Sequence, residues 1–225
     1  MSLDQQDVYL DDPRNDVSPW IPAWASTALD VGCGKGGFGR SLRSALGDRA
    51  RIVAVEPVES QAAVASVGHG YDEVHTGFFP EVLGASRERF DLICFVDVLE
   101  HMPDPWRVLI AAQDFLTENG RILAAIPNVQ YAPNLWGLAR GRWEYTDTGI
   151  LDRTHIRFFT RSSMIDLFRT TGYEVEVAAG ANNVVDAHPR VWRGRRKKLR
   201  HLLGNAQWLH FIVVAKQGRF SVSLR

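Results

Sequence analysis

Residues 28–39 read ALDVGCGKGGFG, an apolar run that ends in a cluster of glycines. A buried strand that leads through a glycine loop into a helix is the usual opening of a sheet with helices on both faces. Gly32, Gly34 and Gly37 also fit G-x-G-x-x-G, the fingerprint of a dinucleotide site. This stretch therefore decides the fold class and raises the question of which ligand the loop holds.

Strand and helix patterns alternate along the rest of the chain. Further buried-strand patterns occupy residues 51–57, 71–77, 90–100, 121–127, 173–180 and 208–216. Asp104 and Pro105 mark the start of one intervening helix, which we expect to close at Gly120. The alternation predicts an α/β fold with a mostly parallel, doubly wound sheet, whose ligands bind beyond the carboxyl ends of the strands.

The composition indicates one globular domain over residues 1–225. Hydrophobic residues make up 45% of the chain, and 26 basic residues balance 26 acidic ones. Nothing global therefore points to nucleic acid or to a membrane surface. No apolar run approaches the roughly 20 residues of a membrane span. The polar, acidic start is unlike a secretory signal and Cys33 and Cys94 are too few for a disulfide framework, so we expect a cytoplasmic protein.

The residues around the glycine loop bear on the ligand. Asp30 stands two residues before the first glycine, where a carboxylate would repel a pyrophosphate but suits an ammonium or sulfonium ion. Glu56, at the end of the second strand pattern, can accept both hydroxyls of a ribose in either kind of site. The longer pattern D-x-G-x-G-x-G, formed by Asp30, Gly32, Gly34 and Gly36, is more specific than the glycines alone.

Two further motifs extend the pattern: DVLEH after the fourth strand and ILDRTHIRFFT at residues 150–160. Together with LDVGCG they make the chain resemble the class I S-adenosylmethionine-dependent methyltransferases, in the bacterial branch that carries D-x-T-H-x-R-F-F-T. The resemblance covers about residues 8–215. It implies a Rossmann-like sheet of seven strands with the last strand antiparallel, and S-adenosylmethionine (SAM) as cofactor over strands one, two and four.

The resemblance also implies roles for individual positions. Those matching the family's contacts to the methionine part are Asp30, Gly32, Cys33 and Gly34, with Gly36 in the same loop. Glu56 matches the ribose-binding residue, Phe78 the adenine cover, and Asp97 and Val98 the residues beside the sulfonium. Tyr9 and Arg14 resemble an N-terminal segment that closes over the cofactor, with Arg14 expected to pair with the methionine carboxylate.

Methyl transfer from a sulfonium to a hydroxyl benefits from a nearby base. His155, in the irregular segment after the fifth strand, is the leading candidate, and His101, just past the fourth strand, is the second. For either histidine a purely structural hydrogen-bonding role is the alternative. The sequence shows no cluster of metal-ligating residues, so we expect no metal site.

Residues 129–159 form a lid-like insertion, because regular patterns fail there and long loops in compact domains often cover binding sites. We expect its neighbourhood to supply the substrate-binding residues Asn128, Trp143, Tyr145 and Arg157. Each also has a structural alternative: Asn128 as a turn residue, the aromatic residues as plugs onto the core, and Arg157 as an anchor of the loop.

A second insertion, at about 184–206, contains a basic stretch over residues 190–200. It is interpreted as a solvated helix face packed on an acidic body, as a contact for phosphate-bearing or membrane-surface substrates, or as a nucleic-acid site. No nucleic-acid motif accompanies it, so we do not expect nucleic-acid binding.

The sequence therefore predicts a SAM-dependent methyltransferase that methylates oxygen on a sugar, a glycan-linked or another small-molecule acceptor. The glycan-type acceptor comes from the resemblance. A quinone-type or other small-molecule methyltransferase is the alternative within the enzyme class. An NAD-dependent oxidoreductase and an inactive module that binds a cofactor or nucleic acid are the alternatives outside it. The oligomeric state is not predicted.

Overall fold

A seven-stranded sheet forms the centre of the molecule. The computed structural model describes residues 11–68, 70–84, 88–187 and 196–218. The strands are β1 Thr27–Val31, β2 Arg51–Glu56, β3 Glu73–Thr76, β4 Phe90–Val96, β5 Leu116–Pro127, β6 Tyr173–Asn183 and β7 Trp208–Gln217. Their order is β3-β2-β1-β4-β5-β7-β6, with β7 antiparallel to both neighbours and every other pairing parallel. The predicted Rossmann-like sheet with an antiparallel last strand is confirmed.

Helices cover both faces of this sheet. They are α1 Gly37–Leu46, α2 Glu59–Ala65, α3 Pro105–Ala112, α4 Ala132–Leu138, α5 Arg161–Thr170, α6 Val184–Ala187 and α7 Arg196–Leu203. Asp104 caps α3 as predicted, since its carboxylate accepts a 3.0 Å hydrogen bond from the backbone N–H of Arg107. Among the described residues, no helix is long enough and apolar enough to cross a bilayer.

The strand alternation builds two hydrophobic cores, one on each face of the sheet. In β4, Ile93 and Phe95 pack into one core, whereas Leu92 and Cys94 pack into the other. Successive side chains of a strand point to opposite faces, so a central strand buried on both sides is apolar throughout. This rigid, doubly covered sheet fixes the positions of the strand ends, where the polar residues lie.

The helix predicted to run from Asp104 to Gly120 is shorter than expected. It ends at Ala112, a 3-10 turn follows over Gln113–Phe115, and β5 begins at Leu116. Gly120 lies inside β5, where the pairing with β4 is irregular. A Cβ at this position would approach the Leu116 side chain to 2.8 Å, so the glycine permits close packing within the strand and does not end the helix.

The two segments that the sequence predicts as insertions both contain helices. The lid-like insertion contains α4 followed by turns. It returns to the carboxyl end of β5 at an isolated bridge between Asn128 and Phe159. Within the basic insertion, residues 188–195 lie outside the described residues. The remainder forms α6 and α7 between β6 and β7, and Arg200 of α7 pairs with Asp186 of α6.

Candidate active site

One cleft of 1410 Å³ opens at the carboxyl ends of the parallel strands. The predicted cofactor residues that line it are Arg14, Asp30, Gly32, Cys33, Gly34, Glu56, Phe78, Asp97 and Val98. Gly36 immediately precedes α1, has a positive φ of 92° and is not among the lining residues. The structure therefore brings nearly all of the predicted cofactor residues together, at the place where open α/β sheets bind ligands.

The glycine loop admits little except glycine at its first position. Gly32 has a φ of 72°, and a Cβ there would lie 2.7 Å from Cγ2 of Val98. A larger residue would combine backbone strain with a clash against the β4 end. The loop delivers the chain into α1, whose N-terminal N–H groups provide a partial positive charge beside the cleft.

Asp30 is buried at the end of β1 and is oriented by Tyr71. The Tyr71 hydroxyl donates a 2.5 Å hydrogen bond to Oδ2 of Asp30. Burial raises the pKa of Asp30 to about 7, against the opposing effect of this hydrogen bond. The side chain therefore changes charge near neutral pH, and a cation bound in the cleft would favour its ionised form.

Glu56 is held by two backbone donors at the end of β2. Oε2 accepts a 2.8 Å hydrogen bond from Gly34 N–H, and Oε1 accepts a 2.9 Å hydrogen bond from Val58 N–H. Burial raises its pKa despite these donors. A carboxylate has about four acceptor positions, so two remain for the hydroxyls of a ribose.

Arg14 reaches the end of β4 from the N-terminal segment. It is only 9% exposed, hydrogen-bonds both oxygens of Asp16 at 2.9 and 3.0 Å, and forms an ion pair with Asp97. His210 of β7 approaches Asp97 from the other side, with Nε2 3.4 Å from Oδ1. Arg14 therefore ties the N-terminal segment to the β4 end. Tyr9, the other predicted residue of that segment, lies outside the described residues.

The two candidate bases, His101 and His155, are neighbours, with ring centroids 4.6 Å apart. Nδ1 of His101 lies 3.2 Å from the carbonyl oxygen of Thr154, and Nδ1 of His155 lies 2.9 Å from that of Ile150. A carbonyl oxygen only accepts hydrogen bonds, so each Nδ1 carries the hydrogen and each neutral ring has Nε2 as its acceptor nitrogen. Burial lowers the pKa of His101 to about 4 and also lowers the pKa of His155.

Asp152 orders the segment that carries these contacts. Its Oδ1 accepts hydrogen bonds from both the hydroxyl and the backbone N–H of Thr154, at 2.7 and 2.8 Å. The Thr154 hydroxyl also lies 3.0 Å from Nδ1 of His101. The D-x-T-H motif thus fixes the tautomer of His101 as well as the position of His155.

Glu100 completes the cluster. Its side chain is 1% exposed, Oε1 lies 3.9 Å from Nε2 of His155, and neither carboxyl oxygen has a hydrogen-bond partner among the described residues. Burial raises its pKa to about 8. One ligand atom each from Glu100, His101 and His155 lies within 4.8 Å of the others, a grouping that the sequence analysis did not expect.

The predicted substrate-binding residues do not line the cleft. Asn128 is fully buried and donates to the carbonyl oxygens of Asn205 and Trp208, which is the structural alternative for this residue. Trp143 packs edge-on against Phe158. Arg157 donates to the carbonyl of Pro103, and Tyr145 is exposed. Other residues of the lid-like insertion and of β7 do line the cleft, namely Thr148, Gly149, Ile150, Asp152, Leu209 and His210.

Three polar residues of the site escaped the sequence analysis. Glu100 lies inside the quoted DVLEH motif, directly before His101, and follows the apolar residues Val98 and Leu99. Tyr71 and His210 carry no such signal, because each reaches the site through a side-chain contact with a residue distant in the sequence.

Comparison with known proteins decides the family. A profile described as "Methyltransferase domain" matches residues 4–177. The chain belongs to this methyltransferase domain family. The membership confirms the predicted family and speaks against an oxidoreductase interpretation of the glycine loop.

The curated relatives of this chain include proteins named as O-methyltransferases. A ubiquinone biosynthesis O-methyltransferase from Pseudomonas entomophila is 30% identical over 183 residues, which cover 75% of this chain and 76% of that protein. A protein of the same name from Cereibacter sphaeroides is 27% identical over 164 residues, or 71% of this chain and 64% of that protein. The chain thus spans just under two thirds of the Cereibacter relative.

Solved structures share the fold. A SAM-dependent methyltransferase from Thermotoga maritima aligns with a TM-score of 0.61 and 18% identity, over 92% of this chain and 88% of that chain. The O-methyltransferase from neocarzinostatin biosynthesis, solved with SAM and 2-hydroxy-5-methyl naphthoic acid, aligns with a TM-score of 0.56 and 14% identity, over 87% and 50%. At these identities the likeness shows the fold alone.

Proposed function

We propose that this protein is an enzyme that transfers the methyl group of SAM to a hydroxyl oxygen of a small-molecule acceptor. The observation that carries the proposal is that one cleft joins the carboxylates of Asp30 and Glu56 to the imidazoles of His101 and His155. The first pair suits a ligand with a cationic part and a ribose. The second pair suits an acceptor that must lose a proton.

The residues present fit SAM. Asp30 is a buried carboxyl that changes charge near neutral pH, Gly32 leaves room where a Cβ would clash, and Glu56 keeps acceptor positions for hydroxyls. SAM, when bound, supplies an electrophilic methyl group on a sulfonium. The curated relatives and the SAM-bound structural neighbour support this cofactor.

His155 is the proposed general base, with His101 beside it. The hydrogen bond from Nδ1 of His155 to Ile150 leaves Nε2 to accept the acceptor's proton. Since burial lowers the pKa of His155, the ring is neutral and ready to act at neutral pH. The main requirement of an in-line displacement is that the cleft holds the acceptor oxygen close to the methyl group.

A phenolic or quinone-type hydroxyl compound is the proposed acceptor class, and a sugar or glycan-linked hydroxyl is the second. The names of the curated relatives and the naphthoic acid bound by one neighbour support the first class. The glycan class rests on the D-x-T-H-x-R-F-F-T motif. We place the reaction in the cytoplasm, and the unpaired thiols of Cys33 and Cys94 support a reducing compartment.

Calorimetry followed by a methyl-transfer assay tests the function. We expect SAM to bind at micromolar levels and NAD to bind hardly at all. Transfer of labelled methyl from SAM is then measured with catechol, 4-hydroxybenzoate and methyl glycosides as acceptors. Tighter binding of NAD than of SAM would contradict the cofactor, whereas transfer to amines but to no hydroxyl would contradict the acceptor class.

A further inference from the structure

We propose that Glu100 acts as a neutral carboxylic acid that donates a hydrogen bond to the acceptor's hydroxyl oxygen. The inference rests on the proposed function and assigns a role to a residue outside the predicted catalytic pair. In this role Glu100 contacts the reacting oxygen on one side, and the base His155 contacts the same oxygen on the other side.

The surroundings of Glu100 differ from those of the other three buried acids that line the cleft, Asp30, Glu56 and Asp152, each of which accepts at least one hydrogen bond. Glu56 accepts two backbone N–H donors, and Asp30 accepts the Tyr71 hydroxyl. Neither oxygen of Glu100 has a donor among the described residues, and its side chain is 1% exposed. A buried carboxylate without donors is costly, so the protonated acid is the form that this position tolerates.

The charged and titratable groups around Glu100 do not reverse this conclusion. Arg14, the cation that acts on it, is already engaged by Asp16 and Asp97. Asp152 raises the pKa of Glu100 further, and the neighbouring rings of His101 and His155 have lowered pKa values and are neutral. The protonated carboxyl of Glu100 therefore has an O–H group without a hydrogen-bond acceptor among the described residues.

The spacing to His155 leaves room for that acceptor. Oε1 of Glu100 and Nε2 of His155 are 3.9 Å apart, too far for a direct hydrogen bond. A hydroxyl oxygen can nevertheless lie about 2.8 Å from both atoms. It then receives the O–H of Glu100 and donates its own hydrogen to Nε2, so one lone pair stays directed at the methyl group.

The balanced step shows what the acid contributes. The acceptor oxygen forms a bond to the methyl carbon while the carbon–sulfur bond breaks, and that electron pair goes to sulfur. The hydroxyl proton passes to Nε2 of His155, so the positive charge lost by sulfur appears on the imidazole. Glu100 keeps its proton and stabilises the negative charge that develops on the oxygen, as a preorganised and buried donor.

A divalent cation held by Glu100, His101 and His155 is the competing interpretation of the same cluster. One ligand atom of each lies within 4.8 Å of the others. Metal–ligand distances of about 2.0–2.2 Å would require the 3.9 Å separation of Glu100 and His155 to shorten or to span opposite sides of the ion. A hydrogen-bonded oxygen fits the observed separation without such a change.

Two substitutions separate the acid from a carboxylate or a metal ligand. In Glu100→Gln the amide still donates, so turnover with catechol should stay within about tenfold of wild type. In Glu100→Met the donor is lost, and turnover should fall about 100-fold. Wild-type kcat/KM should decline as pH rises through about 8, and the Gln variant should lack this decline. Glu59→Gln, an exposed acid on α2, is the matched control.

Equal inactivity of the Gln and Met variants, with SAM binding preserved, would overturn the proposal. So would loss of wild-type activity with a chelator and its recovery with Zn²⁺ or Mg²⁺.

Thermal unfolding gives a second readout, which needs no methyl acceptor. A carboxyl whose pKa is raised from 4.5 to about 8 on folding contributes stability that is full below pH 4.5 and is lost as the pH rises to about 8, so the melting temperature of wild type should fall over this range relative to that of the Gln variant. A difference in melting temperature that does not change with pH would contradict a protonated Glu100. This outcome is independent of the proposed function, because the measurement needs no methyl acceptor.

Discussion

The hydroxyl of Tyr71 donates a 2.5 Å hydrogen bond to Oδ2 of Asp30, which lies near the end of β1, just before the glycine loop. The contact sets the direction of a carboxyl that we expect to face a cationic group of the cofactor. Because Asp30 is buried and its pKa is raised to about 7, the charge that attracts the cofactor is itself titratable. Cofactor affinity should therefore depend on pH.

We expect SAM affinity to rise with pH through about 7, because a cation binds better to the ionised form of Asp30. S-adenosylhomocysteine lacks the sulfonium charge, so its affinity should change less. Calorimetric titration of both compounds between pH 5.5 and about pH 9 measures the difference. Asp30→Asn should flatten the SAM curve, and Tyr71→Phe should move it to higher pH by removing the bond that favours the carboxylate. A flat wild-type curve would show that Asp30 does not face the cationic part.

Glu56→Ala should weaken SAM binding by about 2 to 3 kcal/mol, because it removes the acceptors for two ribose hydroxyls. The same substitution frees the N–H of Gly34, which Glu56 now accepts at 2.8 Å. Glu59→Ala is the matched control, since Glu59 is an exposed acid on the following helix. Equal affinities of the Glu56 variant and wild type, measured by calorimetry, would remove Glu56 from the ribose site.

Arg14→Gln should destabilise the fold and weaken SAM binding about tenfold, because it leaves the partly buried carboxylates of Asp16 and Asp97 without their cation. Arg40→Gln breaks a different ion pair in the described part of the N-terminal segment, with Asp11, but both partners there are about 40% exposed. Exposed pairs contribute little, so this control should retain affinity and melting temperature. Indistinguishable behaviour of the two variants would mean that Arg14 does not support the cleft.

The fold, and the meeting of the expected cofactor residues in one cleft, could be predicted because their signals are local. β1, the glycine loop and α1 are contiguous, and Asp30, Gly32 and Glu56 lie at fixed offsets from strand ends that hydrophobic patterning reveals. The length of α3 was wrong because Gly120 has the sequence signature of a helix stop, although it serves close packing within β5.

The acceptor half was predicted less well because it depends on contacts between distant segments. Asn128 follows a strand end as a substrate residue should, yet its amide is used by backbone carbonyls near β7, 77 and 80 residues away. His101 and His155 were each readable as candidates, but their contact joins two segments 54 residues apart. Neither the pairing nor its consequence for the tautomers can be read from spacing alone.

His155→Ala should leave SAM affinity nearly intact and reduce turnover of a hydroxyl acceptor about 100-fold, because Nε2 receives the proton while the cofactor residues lie elsewhere in the cleft. His155→Gln separates a base from a positioning residue, since an amide can keep the contact to Ile150 but cannot take up the proton at neutral pH. Burial lowers the pKa of His155 below the ordinary value of 6.5. The neutral ring is the active form, so the wild-type rate should rise with pH and level off below that value, a rise that the Gln variant should lack. Recovery of most activity by Gln would make His155 a positioning residue, and normal turnover in both variants would pass the role of base to His101.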